Sequence, residues 1–207
     1  MLKRKRKLNP NTKPKPKHKK VGMNTVEPIR DLDVLESIKQ DLKKSSLRNY
    51  GMFILGINSA LRISDILKLK VGDLKRADLY IRMTKTGKEI TLPISDWLRR
   101  ELRPLMDGRE NHEYLFLSRQ KKKEDGVRKH IDRSVAYRIV NRIGRKYGLE
   151  RVGCHTLRKT FAYHHYKKNK NTAILKDLLG HQDEYHLLRY IGIIQDDINS
   201  SVRGWHL

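Results

Sequence analysis

Leu79-Tyr80-Ile81-Arg82-Met83-Thr84-Lys85-Thr86-Gly87-Lys88-Glu89-Ile90-Thr91-Leu92-Pro93-Ile94 is a stretch in which apolar residues alternate instead of recurring every three or four positions. Leu79, Ile81 and Met83 alternate with Tyr80, Arg82 and Thr84, and Ile90, Leu92 and Ile94 alternate again beyond Thr86-Gly87. A period of two puts the apolar set on one face of a strand. The turn signal between the two runs predicts a β-hairpin, or the core of a small antiparallel sheet, over residues 78–94.

On either side the period becomes helical. Upstream, Leu32, Val34, Leu35, Ile38 and Leu42 follow the spacing of an amphipathic helix. A second helix begins at Ser45 or Ser46, either of which can cap it, and runs through Leu47, Tyr50, Phe53, Ile54 and Ile57. Leu61 to Leu67 reads as a short helix continuing that packing. Downstream a helix starts near Ser95, with Leu98 and Leu102 one turn apart and Pro104 marking its end. Tyr114-Leu115-Phe116-Leu117 is a buried strand or loop, residues 121–129 are a charged loop, and helices follow at about 131–147, 156–168, 171–179 and 185–190. The predicted class is α+β, mostly helical, with a small antiparallel β-sheet.

The 207 residues suit one domain with a tail. Lys and Arg total 47 against 23 Asp and Glu, a net charge of +24. Clustered cations gain free energy by releasing counterions from phosphates, so this charge points to a polyanion. Residues 1–22 carry ten basic residues and no acid, and Pro10, Pro14 and Pro16 oppose a regular helix. With little to bury, they read as a disordered basic arm ahead of a folded domain at 23–207. Lys3, Arg4, Lys5, Arg6 and Lys7 are its candidate DNA contacts, and a solvated tail is the other reading. Removing the ten charges from +24 leaves +14, so the folded part is basic in its own right. Cys154 stands alone, so no intrachain disulfide forms. No apolar run reaches membrane-spanning length, which argues for a chain without a membrane partner.

Taken singly, Arg62, Lys85, His155, Arg158, His181 and Tyr190 are unremarkable surface or cap residues. In order they form a pattern: Ala60-Leu61-Arg62-Ile63-Ser64-Asp65, then Thr84-Lys85-Thr86-Gly87, His155-Thr156-Leu157-Arg158, Leu178-Leu179-Gly180-His181 and Leu188-Arg189-Tyr190. This ordered set, over about residues 30–195, resembles the catalytic domain of the tyrosine recombinases of the phage integrase type. The resemblance implies the catalytic-domain fold of that family and site-specific DNA recombination, with cleavage and rejoining through a 3′-phosphotyrosine.

Displacement at a phosphodiester loads negative charge onto the nonbridging oxygens. Two guanidinium groups can hold them by charge-assisted hydrogen bonds, and Arg62 and Arg158 fit that task. By the resemblance Tyr190 is the nucleophile, His155 the general base, His181 a phosphate hydrogen-bond partner and Lys85 the general acid at the departing 5′ oxygen. Asp65, one helical turn after Arg62, is expected to orient the arginine or a histidine. No cofactor is expected, because the phosphotyrosyl ester conserves the phosphodiester energy. No metal is expected either: the chain has no persuasive carboxylate cluster for Mg²⁺, and the His164-His165 pair points in different directions on a helix.

The expected partners are double-stranded DNA, further copies of the chain in a tetramer on DNA, and an accessory bending or directionality factor. The expected setting is the cytoplasm and nucleoid of a bacterial or phage-infected cell. Residues 191–207, with Ile193, Ile194, Ile198, Val202 and Trp205, either dock on a neighbouring protomer or pack on their own domain. Two features depart from the family pattern. Little precedes the catalytic blocks where relatives carry a separate helical DNA-binding domain, and Asp183-Glu184 places two acids near a DNA-facing loop. The first keeps open a DNA-binding regulator or accessory protein on the recombinase fold. A type IB topoisomerase is a second rival, disfavoured by the LLGH block and the short spacing from His181 to Tyr190.

The arm has a measurable signature. Deleting residues 1–22 should flatten the plot of log affinity for duplex DNA against log salt by roughly 0.9 in slope per phosphate contact removed. An unchanged slope would mean the arm tracks no phosphates.

Overall fold

The computed structural model describes residues 25–84, 87–119 and 128–206. The basic arm with Lys3, Arg4, Lys5, Arg6 and Lys7 lies outside the described residues, as do Lys85 and most of the charged loop.

The first helix, α1 (Leu32–Ser45), starts where Asp31 accepts from the backbone N–H groups of Asp33 and Val34, and it buries Leu35, Ile38 and Leu42. Ser46 caps α2 (Leu47–Asn58), whose residues Tyr50 to Gly56 are all buried. The short helices α3 (Ile63–Ile66) and α4 (Val71–Leu74) lead into the hairpin of β1 (Asp78–Arg82) and β2 (Glu89–Pro93). Its antiparallel register pairs Leu79 with Leu92 and Ile81 with Ile90, while Tyr80 faces solvent. The turn closes with Gly87 N–H donating to Met83 O, and Gly87 sits at φ +67, a conformation that disfavours other residues.

Helix α5 (Asp96–Leu102) begins at Ser95 and runs into a 3₁₀ turn at Arg103–Leu105. Pro104 is accommodated in that turn, where its missing N–H costs nothing. Residues 114–117 form no strand. Tyr114 and Leu117 make isolated bridges to Lys70 and His130, and Leu115 and Phe116 fill the core.

The second half is helical: α6 (Arg133–Lys146), α7 (Cys154–Asn169), α8 (Thr172–Leu179), α9 (Glu184–Ile191) and α10 (Ile193–Arg203). Each turn between α7 and α10 has a local cause. Asn171 caps α8 and Asp183 caps α9, while Gly180 at φ +68 and Gly192 at φ +88 end α8 and α9. Of the two acids expected near a DNA-facing loop, Asp183 is the cap of α9, its Oδ1 accepting from the backbone N–H of His186, and Glu184 lies in the first turn of that helix.

Two apolar clusters meet along α7. The larger gathers α1–α6 and reaches Leu157, and the smaller contains Ala162, Tyr163, Leu175, Leu179, Leu187, Ile191 and Ile193. Gly56 lets α2 approach α7, because a Cβ there would lie 2.6 Å from Leu157 Cδ1. The segment before α1 is stitched to α7. Ile29 N–H donates to Thr160 Oγ1 at 2.9 Å, and His164 Nε2 lies 2.9 Å from Ile29 O. The chain changes cluster between Ala60 and Leu61, one residue before Arg62, and again along α7 beyond Leu157, beside Arg158.

Candidate active site

Arg62 is the residue before α3, with extended backbone, and its Nη1 donates to Met83 Sδ at 3.4 Å. This leans the guanidinium against the end of β1. Arg158 sits on α7 and is only 3 % exposed. Its Nη2 donates to Leu179 O at 2.9 Å and Leu178 O at 3.4 Å, the last carbonyls of α8. Its Nη1 is buried and has no partner among the described residues. Burial pushes the Arg158 pKa down to about 10, which leaves the group cationic at neutral pH. A buried guanidinium nitrogen with an unused N–H is costly unless a ligand completes it.

Arg158 also sets the position of His181. The αL turn at Gly180 brings His181 N–H back to Lys176 O at 3.0 Å, directly after the carbonyls that Arg158 holds. The His181 ring lies 4.9 Å from that of Tyr190, tilted by 42°. Tyr190 is half-buried on the last turn of α9. Burial raises its pKa, and Arg158 and Arg62 pull against that rise. His155 stands in the first turn of α7 and reaches solvent. Desolvation and the charges of Arg133, Arg158, Arg62 and Lys159 lower its pKa. Desolvation, Arg158 and Arg62 lower that of His181 as well. Both imidazoles are therefore neutral at neutral pH and able to accept a proton or a hydrogen bond.

Arg62, His155, Arg158, His181 and Tyr190 thus converge at the seam between the two apolar clusters. Lys85 follows Thr84 in the turn but lies outside the described residues. Asp65 departs from expectation. It is 4 % exposed, and its Oδ1 accepts from Thr84 N–H at 3.0 Å rather than from an arginine or a histidine. It anchors the backbone immediately before Lys85, and its charge acts on Arg158 without a hydrogen bond to it. Its Oδ2 is buried without a partner among the described residues.

Two features escape the sequence reading. Lys159, next to Arg158, is buried, and its Nζ lies 4.8 Å from the Tyr190 ring centroid. The signal was its place three and four residues before Ala162 and Tyr163, on the apolar stripe of α7. The second is a cleft of about 940 Å³ between α1, α2 and α6, with Arg119, Lys129, Arg138 and Arg142 on its walls. His164, of the pair set aside as metal ligands, is engaged by Ile29 O, and His186 by Asp183 Oδ1. Among the described residues no helix is long and apolar enough to cross a membrane.

The phage integrase family profile matches residues 30–194. The chain belongs to the phage integrase family. It is 41 % identical over 182 residues to the probable integrase/recombinase YoeC of Bacillus subtilis, covering 87 % of this chain and 97 % of that protein. It is 31 % identical over 139 residues to the tyrosine recombinase XerA of Pyrococcus horikoshii, covering 66 % of this chain but 47 % of that one. The chain therefore spans nearly all of the first relative and about half of the second. Among solved structures, XerA recombinase matches with a TM-score of 0.63 at 20 % identity, over 88 % of this chain and 68 % of that one. The XerH site-specific recombinase bound to difH matches at 0.59 and 20 % identity, over 81 % and 51 %. The family makes the chain a tyrosine-type site-specific recombinase, with the catalytic-domain fold of that class.

The electrostatics give a direct check. In the free protein, NMR titration should place the His155 and His181 midpoints below the ordinary histidine value of about 6.5. Replacing Arg158 with Gln should move both upward, because one cation that disfavours their protonation is gone.

Proposed function

We propose that this chain cuts and rejoins DNA through Tyr190, with Arg62, Lys85, His155, Arg158 and His181 as the groups acting on substrate. The single observation that carries this reading is the unpartnered, buried Nη1 of Arg158, held in a cluster with the phenol of Tyr190 and two neutral histidines. That nitrogen suits a nonbridging phosphate oxygen. Tyr190 Oη attacks phosphorus and gives its proton to His155. The bond from phosphorus to the 5′ oxygen breaks, and Lys85 protonates that oxygen. The pentacovalent charge is carried by Arg62 and Arg158, with His181 hydrogen-bonded to the phosphate. Asp65 contributes by fixing the backbone at Thr84, next to Lys85.

Duplex DNA is the partner that fits the charge. The XerH relative in fold was solved on its difH substrate. The cationic cleft beside α6 and the arm at residues 1–22 would track phosphates beyond the cleavage site. A bacterial or phage-encoded protein acting at the nucleoid, aided by an accessory DNA-bending or directionality factor, is consistent with these relatives. The regulator alternative survives only if cleavage is absent, because the set of reactive side chains is complete in the sequence.

Residues 191–207 would complete a tetramer on DNA. The first turn of α10 belongs to its own domain, since Ile193 is buried and Asp196 pairs with Arg30 at 2.9 Å. Beyond it Ile198, Val202 (65 % exposed) and Trp205 (74 % exposed) form an apolar edge that a second copy can cover.

The decisive experiment is a suicide substrate nicked near the scissile phosphate. Wild type should be trapped as an adduct on the 3′ side, and mapping should find Tyr190. Tyr190→Phe should bind DNA equally and form none. Arg158→Ala should cut trapping by roughly 100-fold or more. Lys85→Ala should slow cleavage of ordinary DNA far more than cleavage of a 5′-thiol substrate, whose leaving group hardly needs an acid. Specific binding without any adduct would establish the regulator reading instead.

A separate measurement addresses assembly. Val202→Ser with Trp205→Ser should leave single-site binding intact and abolish higher-order complexes on DNA. Unchanged complexes would return α10 to a role within its own domain.

A further inference from the structure

Lys159 is a charged side chain in a place where charges are expensive. It is 4 % exposed, and among the described residues it makes no hydrogen bond or ion pair. Most of the side chain is covered, its end lines a groove shared with Glu27, Arg30 and Arg151, and Glu27 acts on it through its charge without a direct ion pair. The contact it does make is with the nucleophile, its Nζ standing 4.8 Å from the centre of the Tyr190 ring. Burial, Arg30 and Arg151 oppose its charge, and Glu27 is the anion that favours it.

We infer that Lys159 is a positioning residue for Tyr190, holding the ring by a cation–π contact and stabilising the phenolate as attack begins. The inference rests on Tyr190 being the nucleophile. An aromatic ring attracts a cation through its quadrupole, and the attraction grows when the ring carries the delocalised charge of a phenolate. Lys159 therefore binds the reacting state better than the resting phenol, which is the condition for accelerating the chemical step.

Its place relative to the other charges explains why a third cation is useful. Arg62 and Arg158 favour the phenolate in the free protein, but a bound phosphate brings its own negative charge to them. Lys159 approaches through the ring from α7. The groove it lines also carries Glu27 and Arg30 from the segment before α1, Arg151 before α7, Tyr185 and Arg189 of α9, and Asp196 and Arg203 of α10, with Asp196 held by Arg30. Beside Tyr190 stand Arg62, Arg158 and His181. Among these, Lys159 is the cation whose partner is the ring itself.

The test compares Lys159→Met, Lys159→Arg and wild type in single-turnover cleavage of the suicide substrate from pH 6 to 10. Lys159→Met should bind DNA as wild type does and cleave ~10-fold more slowly near neutral pH, with the rate recovering as its profile moves upward by about one pH unit. Lys159→Arg should retain most of the rate. A second measurement uses chains that keep the lysine, so that any loosening of the seam around α7 by Met does not enter it. With ¹³C-labelled lysine, the Lys159 signal should show a ring-current shift in wild type and in Tyr190→Phe. In wild type that signal should carry a second step as Tyr190 ionises at high pH, a step absent from Tyr190→Phe. A Lys159→Met profile with no shift along the pH axis, or a lysine signal that titrates identically in wild type and Tyr190→Phe, would overturn the inference. Absence of an adduct from wild type would instead overturn the assignment of Tyr190.

Discussion

The bond on which the site depends is the one from Arg158 Nη2 to the last carbonyls of α8. A helix ends with carbonyls that have no partner within the helix, and a buried guanidinium has more donors than a protein interior easily satisfies. Each meets the need of the other. The consequence is geometric: the guanidinium cannot rotate freely, α8 must stop where it does, and Gly180 then turns the chain so that His181 emerges beside the Tyr190 ring. The other terminal nitrogen has no partner among the described residues. One side of the group is structural and the other is available for substrate, so substrate binding would complete a hydrogen-bond set that folding leaves open.

Helix α7 makes this possible by belonging to both apolar clusters. Its Leu157 packs against Gly56 in the larger cluster, and Ala162 and Tyr163 pack in the smaller one. Its buried threonines are both used: Thr156 accepts from Gly153 N–H at the start of the helix, and Thr160 accepts from Ile29 N–H across the domain. A helix enclosed on two sides holds its polar residues at fixed angles, as a reaction centre requires. It also explains why reactive groups from the α3 side and the α9 side, distant in sequence, converge there.

Much of this was legible in the sequence, for identifiable reasons. The hairpin followed from alternation, α1 and α2 from apolar spacing with Ser46 one of two candidate caps, and α5 from Leu98 and Leu102 one turn apart after Ser95, whereas the caps Asp31 and Asp132 emerged only in the structure. Helix α4 was not visible because four residues give no period to read. Residues 114–117 remained ambiguous between strand and loop, since buried pairing with Lys70 and His130 gives an apolar run in either case. The reactive residues were legible only as an ordered set, and their sequence order says nothing of hydrogen bonding. Asp65 showed this: its spacing from Arg62 suggested a bond to a side chain, whereas the carboxylate serves a backbone N–H across the fold. Lys159 was hidden because lysine in a basic chain reads as surface, and only its position on the stripe of α7 contradicts that.

The charge balance suggests why such a site can be stable and idle without DNA. Arg62, Arg158, Lys159 and Arg133 repel protons from His155, and the two arginines repel them from His181. Burial keeps the Tyr190 phenol protonated despite the two arginines. The proposed base and the proposed nucleophile thus rest uncharged among cations that repel one another, with Asp65 the anion acting on Arg158 and Glu27 the one acting on Lys159. Under the proposed roles, a phosphodiester would reverse the sign of that field. Its charge would relieve the arginines, fill the open donor of Arg158 and make a protonated histidine less costly, so that His155 would be able to accept the phenol proton as attack proceeds. The same cations that lower the pKa of both histidines would then stabilise the anionic transition state. Such a site would need no separate switch, because the substrate itself would bring the negative charge.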